Sequence, residues 1–275
     1  MMTDRAWNRL YSRFEQDGLI PESKAEKRTL LSSSGFRWAV GLAAIFVGII
    51  SILVFRPATT NADLLTLHNA EDAPTLVTTL EDGSVVYLSG YTSLQYPLHF
   101  GENKRKVALQ GDAFFEISKN AGRPFVIDTE KASIEVLGTA FNVRNQDKNL
   151  LTLSVREGEV RVTSKESGQV IHVRGGEMVS LKSGKMLMSR ADVGEFGKYF
   201  DRIHFKDERL ADIVRIINMN SDSVSLKLSP DLEDRLLTVS FSGDSPQTMA
   251  ELICMALNLH YTQQQNVIIL SKPDN

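Results

Sequence analysis

The chain has 275 residues, with 31 Lys plus Arg against 34 Asp plus Glu and 42% hydrophobic residues, a balance that excludes a disordered or fibrous chain and fits one or two modest domains. A formal net charge of -3 supplies no global basic field, which argues against holding nucleic acid by neutralising phosphates. The single cysteine, Cys254, makes neither an internal disulfide nor a thiolate zinc site, and the five histidines lie too far apart for a recognised ligand spacing, so no metal or cofactor is expected.

Residues 1–35 read as a cytoplasmic segment. Trp7, Leu10, Tyr11 and Phe14 recur at i, i+3, i+4 and i+7, one apolar stripe on a helix whose other face carries Arg5, Arg9, Arg13 and Glu15; Gly18 and Pro21 end it. A short amphipathic helix with aromatic anchors suits a groove on another protein, the alternative being a helix lying on the membrane surface. The polar stretch 23–34 reads as a tether. A segment this short falls below the ~40 residues a chain usually needs to fold unaided, and so below what an enzyme needs.

A membrane-spanning helix is predicted over residues 36–56. From Trp38 to Phe55 the sequence WAVGLAAIFVGIISILVF carries no charge, and at 1.5 Å per residue it covers roughly 27 Å of the ~30 Å hydrocarbon layer. A buried core helix seldom runs this long without a charge. A cleaved signal peptide would begin earlier, be shorter, and not end at Arg56-Pro57-Ala58. Lys24, Lys27, Arg28 and Arg37 precede the span while Arg56 stands alone until Lys104, so the positive-inside rule places the N-terminus in the cytoplasm. In a bacterium the rest then lies in the periplasm, anchored to the inner membrane.

After a linker over 57–74, residues 75–190 read as an all-β domain. Short runs such as LVTTL, SVVYL, KVALQ, FFEI, AFNVR and EVRVT alternate with turn signals at Asp82-Gly83, Glu157-Gly158, Arg174-Gly175-Gly176 and Ser183-Gly184. Leu151, Leu153 and Val155 face one way and Thr152 and Ser154 the other; Val160 and Val162 oppose Glu159 and Arg161. A sandwich, a β-roll and a short solenoid all fit this pattern. Carboxylates such as Asp112, Glu116 and Asp128 fall at strand spacing and read as ordinary solvated positions rather than a hydrolase pair.

Over residues 195–273 the period changes. A short strand at 203–205 precedes a helix with Leu210, Ile213, Val214 and Ile217 on one side, then strands VSLKL and LLTVSF. A second helix follows, capped by Ser245, with Pro246 in the first position and Met249, Leu252, Ile253, Ala256 and Leu257 as its stripe, and the chain closes with strands around HYTQ and NVIILS. The order β-α-β-β-α-β predicts a small two-layer α+β domain. The fold class expected is a single-pass membrane protein with a short cytoplasmic helix, a periplasmic all-β domain and a small α+β domain.

GDAFFEI at 111–117, RPFVI at 123–127, VLGTAFNVR at 136–144, SVREGEVRV at 154–162 and RGGEMVSL at 174–181 carry a resemblance. In this order after a single membrane span, they resemble the FecR-type transmembrane anti-sigma family in the form common in Bacteroidetes. The C-terminal module is similar to the short N-terminal signalling domain of secretins and TonB-dependent receptors, with Phe196 and Tyr199 where the family usually places a Trp. The resemblance implies a regulator rather than an enzyme. Its cytoplasmic end, with Trp7, Leu10, Tyr11 and Phe14, binds an extracytoplasmic-function sigma factor; its periplasmic part meets the signalling domain of a TonB-dependent outer-membrane receptor; and it controls genes for nutrient uptake, glycan or iron. The cytoplasmic region is much shorter than that of many relatives. Some relatives cleave themselves at a Gly-Thr like Gly138-Thr139, the hydroxyl attacking the preceding carbonyl; alternatively Gly138 makes a bulge and Thr139 satisfies a backbone group. A membrane-anchored periplasmic binding or envelope-assembly module without sigma contact is the alternative function.

Overall fold

Alternating side chains and glycine turns make the strands of residues 64–190. The computed structural model shows β1 Leu64–Asn69, β2 Thr75–Thr79, β3 Val85–Leu88, β4 Thr92–Pro97, β5 Arg105–Gln110, β6 Ala113–Glu116, β7 Phe125–Asp128, β8 Ala132–Val136, β9 Ala140–Arg144, β10 Leu150–Glu157, β11 Glu159–Ser164, β12 Val170–Arg174, β13 Glu177–Lys182 and β14 Lys185–Arg190. It describes Ser12, Asp17 and residues 64–273 other than Lys148, Val193 and Asp222. The aromatic stripe from Trp7 to Phe14 and the apolar run 38–55 lie outside the described residues, among which no helix is long and apolar enough to cross a membrane.

Of the three architectures open from sequence, the chain adopts two sheets face to face. One has the order β1-β4-β5-β7-β8-β11-β12, and the other begins β14-β13-β10-β9-β6-β3-β2. The chain shuttles between them, mostly two strands at a time. Gly158 makes the turn from β10 into β11 with φ +91, a conformation that disfavours any side chain. Inward residues from both sheets, among them Leu94, Ile127, Ile134, Phe115, Phe141 and Leu153, form one core. Leu151, Leu153, Val155, Val160 and Val162 are all fully buried, as their alternation demands.

Two strands, β1 and β4, are absent from the sequence reading. Residues 64–69, read as linker, form β1 and pair antiparallel with β4, with Leu67 opposite Leu94. Leu67 packs against the core. Asn69, buried at the strand end, donates through Nδ2 to the carbonyls of Pro74 and Leu88 at 2.9 Å, so this end of β1 is held and satisfied.

The C-terminal part contains α1 Gly194–Gly197, β15 Arg202–Arg209, α2 Leu210–Met219, β16 Ser225–Leu228, β17 Leu236–Ser242, α3 Pro246–Leu257, β18 His260–Gln264 and β19 Val267–Ser271. Its strands do not form a single sheet, as the two-layer reading expects, but divide between two. Instead β15 pairs in parallel with β2, Ile203 opposite Thr75 and Phe205 opposite Val77, and antiparallel with β17. The second sheet thereby grows to nine strands ending β2-β15-β17, while β16-β19-β18 form a separate three-stranded sheet. The cause is visible in β3 and β6, whose VVYL and AFFE are buried at every position. Strands covered on both faces lose alternation. Their outer residues Val85, Tyr87 and Phe114, with Val77, need a cover, and Phe196, Tyr199, Ile213, Ile217 and Ile253 supply it in a second core.

Helix α2 buries Leu210, Ile213, Val214, Ile216 and Ile217. Ser245 caps α3, its hydroxyl accepting from the Thr248 N–H at 3.2 Å, and Asn258 ends the helix in the left-handed conformation. The most buried positions of α3 are Ala250, Ile253 and Cys254, whereas Ala256 is exposed, so its stripe is rotated from the one expected.

Candidate functional site

Gly138 and Thr139 carry the chain from β8 in one sheet to β9 in the other. A Cβ on Gly138 would stand 2.6 Å from the Lys119 Cα, so the backbones can pass this closely only with glycine there. Thr139 is buried; its hydroxyl donates to the Glu159 carbonyl at 3.1 Å, and its own carbonyl accepts from the Ile117 N–H at 3.0 Å. The hydroxyl is thus committed to backbone, tying the corner to β11.

A polar cluster sits where the C-terminal part meets the sandwich. The Tyr87 hydroxyl donates to Glu116 at 2.8 Å, Arg156 reaches the other Glu116 oxygen at 2.6 Å, and Asn220, at the end of α2, donates to the Tyr87 oxygen at 3.3 Å. Burial, reinforced by the Glu116 charge, pushes the Tyr87 phenol well above its ordinary pKa, so it stays a donor. Glu116 is therefore not the solvated position its strand spacing suggested but 9% exposed and doubly bonded. Beside it the Phe114 ring lies 5.5 to 5.8 Å from the rings of Tyr87, Phe196, Tyr199 and Phe200, with the Arg156 guanidinium 4.9 Å above it. Asp112 accepts from the Asn145 and Gln146 N–H groups at 2.7 and 3.0 Å, and Asp128 lies between Lys165 and Lys106 at 2.5 and 3.0 Å. The three carboxylates hold structure in three separate places. Among the described residues no group of His, Cys, Asp and Glu is placed to hold a metal ion.

The junction between β2 and β15 ends at a bulge. The register of β15 against β17 shifts between Phe205 and Glu208, and on the β2 side the Glu208 carboxylate, 8% exposed, accepts from the Thr79 N–H at 2.9 Å, continuing that ladder with a side chain. Burial raises the Glu208 pKa, opposed by its bond from Thr79, while Asp212 adds to the rise and Arg215 resists it. A carboxyl with its pKa raised in the fold stabilises fully below its unfolded pKa, and that contribution is lost as pH rises through the folded value. Glu208→Gln keeps an oxygen for Thr79 without the charge. Urea midpoints measured at about pH 4 and about pH 7 should therefore show the variant gaining on the wild type as pH rises; parallel behaviour would remove this role.

At the end of the nine-stranded sheet β17 presents LLTVSFS, without charge or proline. Leu237 and Phe241 face the second core, and Leu236, Thr238, Ser240 and Ser242 are exposed. The opposite edge, β14, begins with Lys185 and ends with Arg190. Charged and proline residues discourage strand addition, so β17 is the less protected of these two edges. Trp7, Leu10, Tyr11 and Phe14 lie outside the described residues. Strand patterning alone did not find the Tyr87, Glu116 and Asn220 cluster, whose members come from three distant segments.

Residues 70–161 match the family model described as FecR protein. Two crystal structures of a candidate anti-sigma factor from Parabacteroides distasonis are 24% identical with a TM-score of 0.47, over 77% and 76% of this chain and 100% of theirs. No curated protein matches the chain.

Proposed function

We propose, from the match of residues 70–161 to the family model described as FecR protein, that this chain is an anti-sigma regulator acting across the bacterial inner membrane. Trp7, Leu10, Tyr11 and Phe14 hold an extracytoplasmic-function sigma factor in the cytoplasm, residues 36–56 cross the lipid once, and the periplasmic part receives the signalling domain of a TonB-dependent outer-membrane receptor. The genes controlled serve nutrient uptake, of glycan or iron. The family match carries this reading; the charge asymmetry around residues 38–55 and the large aromatic anchors of the N-terminal stripe support its topology and its partner.

The uncharged β17 edge suits the receptor step, because an added strand gains main-chain hydrogen bonds without a deep pocket. A single helix transmits little by bending, so the cytoplasmic response follows from proteolysis or from a change in local order near the span. Co-expression of the full chain with the extracytoplasmic-function sigma factors of its own genome, followed by affinity capture, tests the reading. One sigma factor should be retained by the wild type and lost when Trp7→Ala and Phe14→Ala are combined. Retention by the double variant would remove the aromatic stripe as the sigma contact, and no sigma factor retained at all would favour an envelope module instead.

A further inference from the structure

Outside the junction, the outer face of the seven-stranded sheet holds a trough of about 910 Å³. Its floor is set by register. Thr66 lies opposite Gln95, Gln95 opposite Ala108 and Ala108 opposite Asp128, a row across β1, β4, β5 and β7, and Ser93 lies opposite Gln110 in the row beside it. With neighbouring strands ~4.8 Å apart, the first row extends about 14 Å. It carries a hydroxyl, an amide, a small methyl and a carboxylate, and the second a hydroxyl and an amide. We propose that this trough binds a neutral oligosaccharide.

The side chains lining it argue for that class. The lysines in its wall are already engaged: Lys131 donates to Asn145 at 2.9 Å and to the Asp147 carbonyl at 2.7 Å, and Lys165 donates to the Thr129 carbonyl and bridges to Asp128, both at 2.5 Å. An anion would have to break these pairs and would meet Asp128 and Glu130 in the same wall. An apolar ligand would find a floor of amides and hydroxyls to desolvate. A peptide would find no free backbone on β4, β5 or β7, which are bonded on both sides. What remains is a floor of amides and hydroxyls with a gap at Ala108 and a lysine-paired carboxylate, Asp128, at one end, which suits rings bearing many hydroxyls.

The rim adds an aromatic face. Tyr91 is 57% exposed and sits in the left-handed region at φ +59, a conformation costly for a bulky residue and sustained here by its surroundings. The nearby Glu71 carboxylate raises its phenol pKa. Next to it Gln146 is held by the Gly90 carbonyl at 2.8 Å. Preorganised groups of this kind lower the entropy lost on binding.

The inference is independent of the sigma contact. The purified full-length chain would be screened on an array of neutral oligosaccharides, with acidic oligosaccharides and unstructured peptides alongside, and the strongest hit titrated by calorimetry. A neutral oligosaccharide should bind, Gln95→Ala and Gln110→Ala should each weaken it about tenfold, and Ala108→Trp, which fills the gap from an outward position, should abolish binding with the thermal midpoint unchanged. Binding of no neutral oligosaccharide, binding indifferent to both Gln95→Ala and Ala108→Trp, or stronger binding of the peptides or acidic sugars would overturn it.

Discussion

Asp82→Ala is expected to destabilise the sandwich by about 3–5 kcal/mol, because it leaves a buried guanidinium without its counter-charge. Arg105 is fully buried and its Nη1 lies 2.5 Å from the Asp82 carboxylate, itself 7% exposed. The same nitrogen donates to the Ser118 carbonyl at 3.0 Å and Nε to the Arg123 carbonyl at 2.9 Å, while Nη2 makes no hydrogen bond and the group lies 5.4 Å from the Phe125 ring centre. Asp82 in turn accepts from the N–H and hydroxyl of Ser84 at 3.0 and 2.8 Å. The pair therefore joins the turn before β3 in one sheet to β5 in the other, clipping the sheets at one end. Arg105→Met combined with Asp82→Ala should cost much less than Asp82→Ala alone, since it removes both buried charges rather than orphaning one. Asp128→Ala, which breaks partly exposed pairs with lysines, should cost under about 1 kcal/mol. Chemical denaturation of the three variants checks the order, and an Asp82→Ala loss no larger than that of Asp128→Ala would refute it.

Much of the sandwich is legible in the sequence, because Leu151, Leu153, Val155, Val160 and Val162 mark a buried face by alternation alone. The same rule carries a hint about Arg105, which shares its strand face with Val107 and Leu109, an inward charge that calls for a partner. Asp82 could not be named as that partner, since the two meet only after the sheets stack. Strand β4 was also readable in principle: Leu94 and Tyr96 alternate with Ser93 and Gln95, but Gly90 and Pro97 on either side suggest a loop. The joined sheet is a different matter. The parallel pairing of β2 with β15 leaves no local mark in either LVTT or IHF, and the evidence for it in the sequence is indirect, in VVYL and AFFE being apolar at positions where a half-solvated strand would be polar. The trough was illegible for the opposite reason. Gln95, Ala108 and Gln110 are unremarkable outward residues until register places them side by side.

Phe114→Ala is expected to cost about 3–5 kcal/mol, as for a fully buried aromatic truncated without room to collapse, and to do so unevenly. Its ring is the common neighbour of Tyr87 from the sandwich and of Phe196, Tyr199 and Phe200 from the C-terminal part. Removing it opens a cavity between the two while leaving the first core, built around Phe115 and Phe141, in place. In the wild type the nine-stranded sheet runs through both parts, so residues 64–273 should unfold in one transition. In the variant the C-terminal part should open first, appearing as a second, lower transition and as early proteolytic cleavage between residues 190 and 202, while the strands around the first core keep their hydrogen-exchange protection. Phe115→Ala, one residue along the same strand but facing the other core, should lower a single transition by a similar amount without dividing it. Two transitions already present in the wild type would show the parts to be separate domains that merely touch, and the continuity of the sheet would then carry no energetic weight.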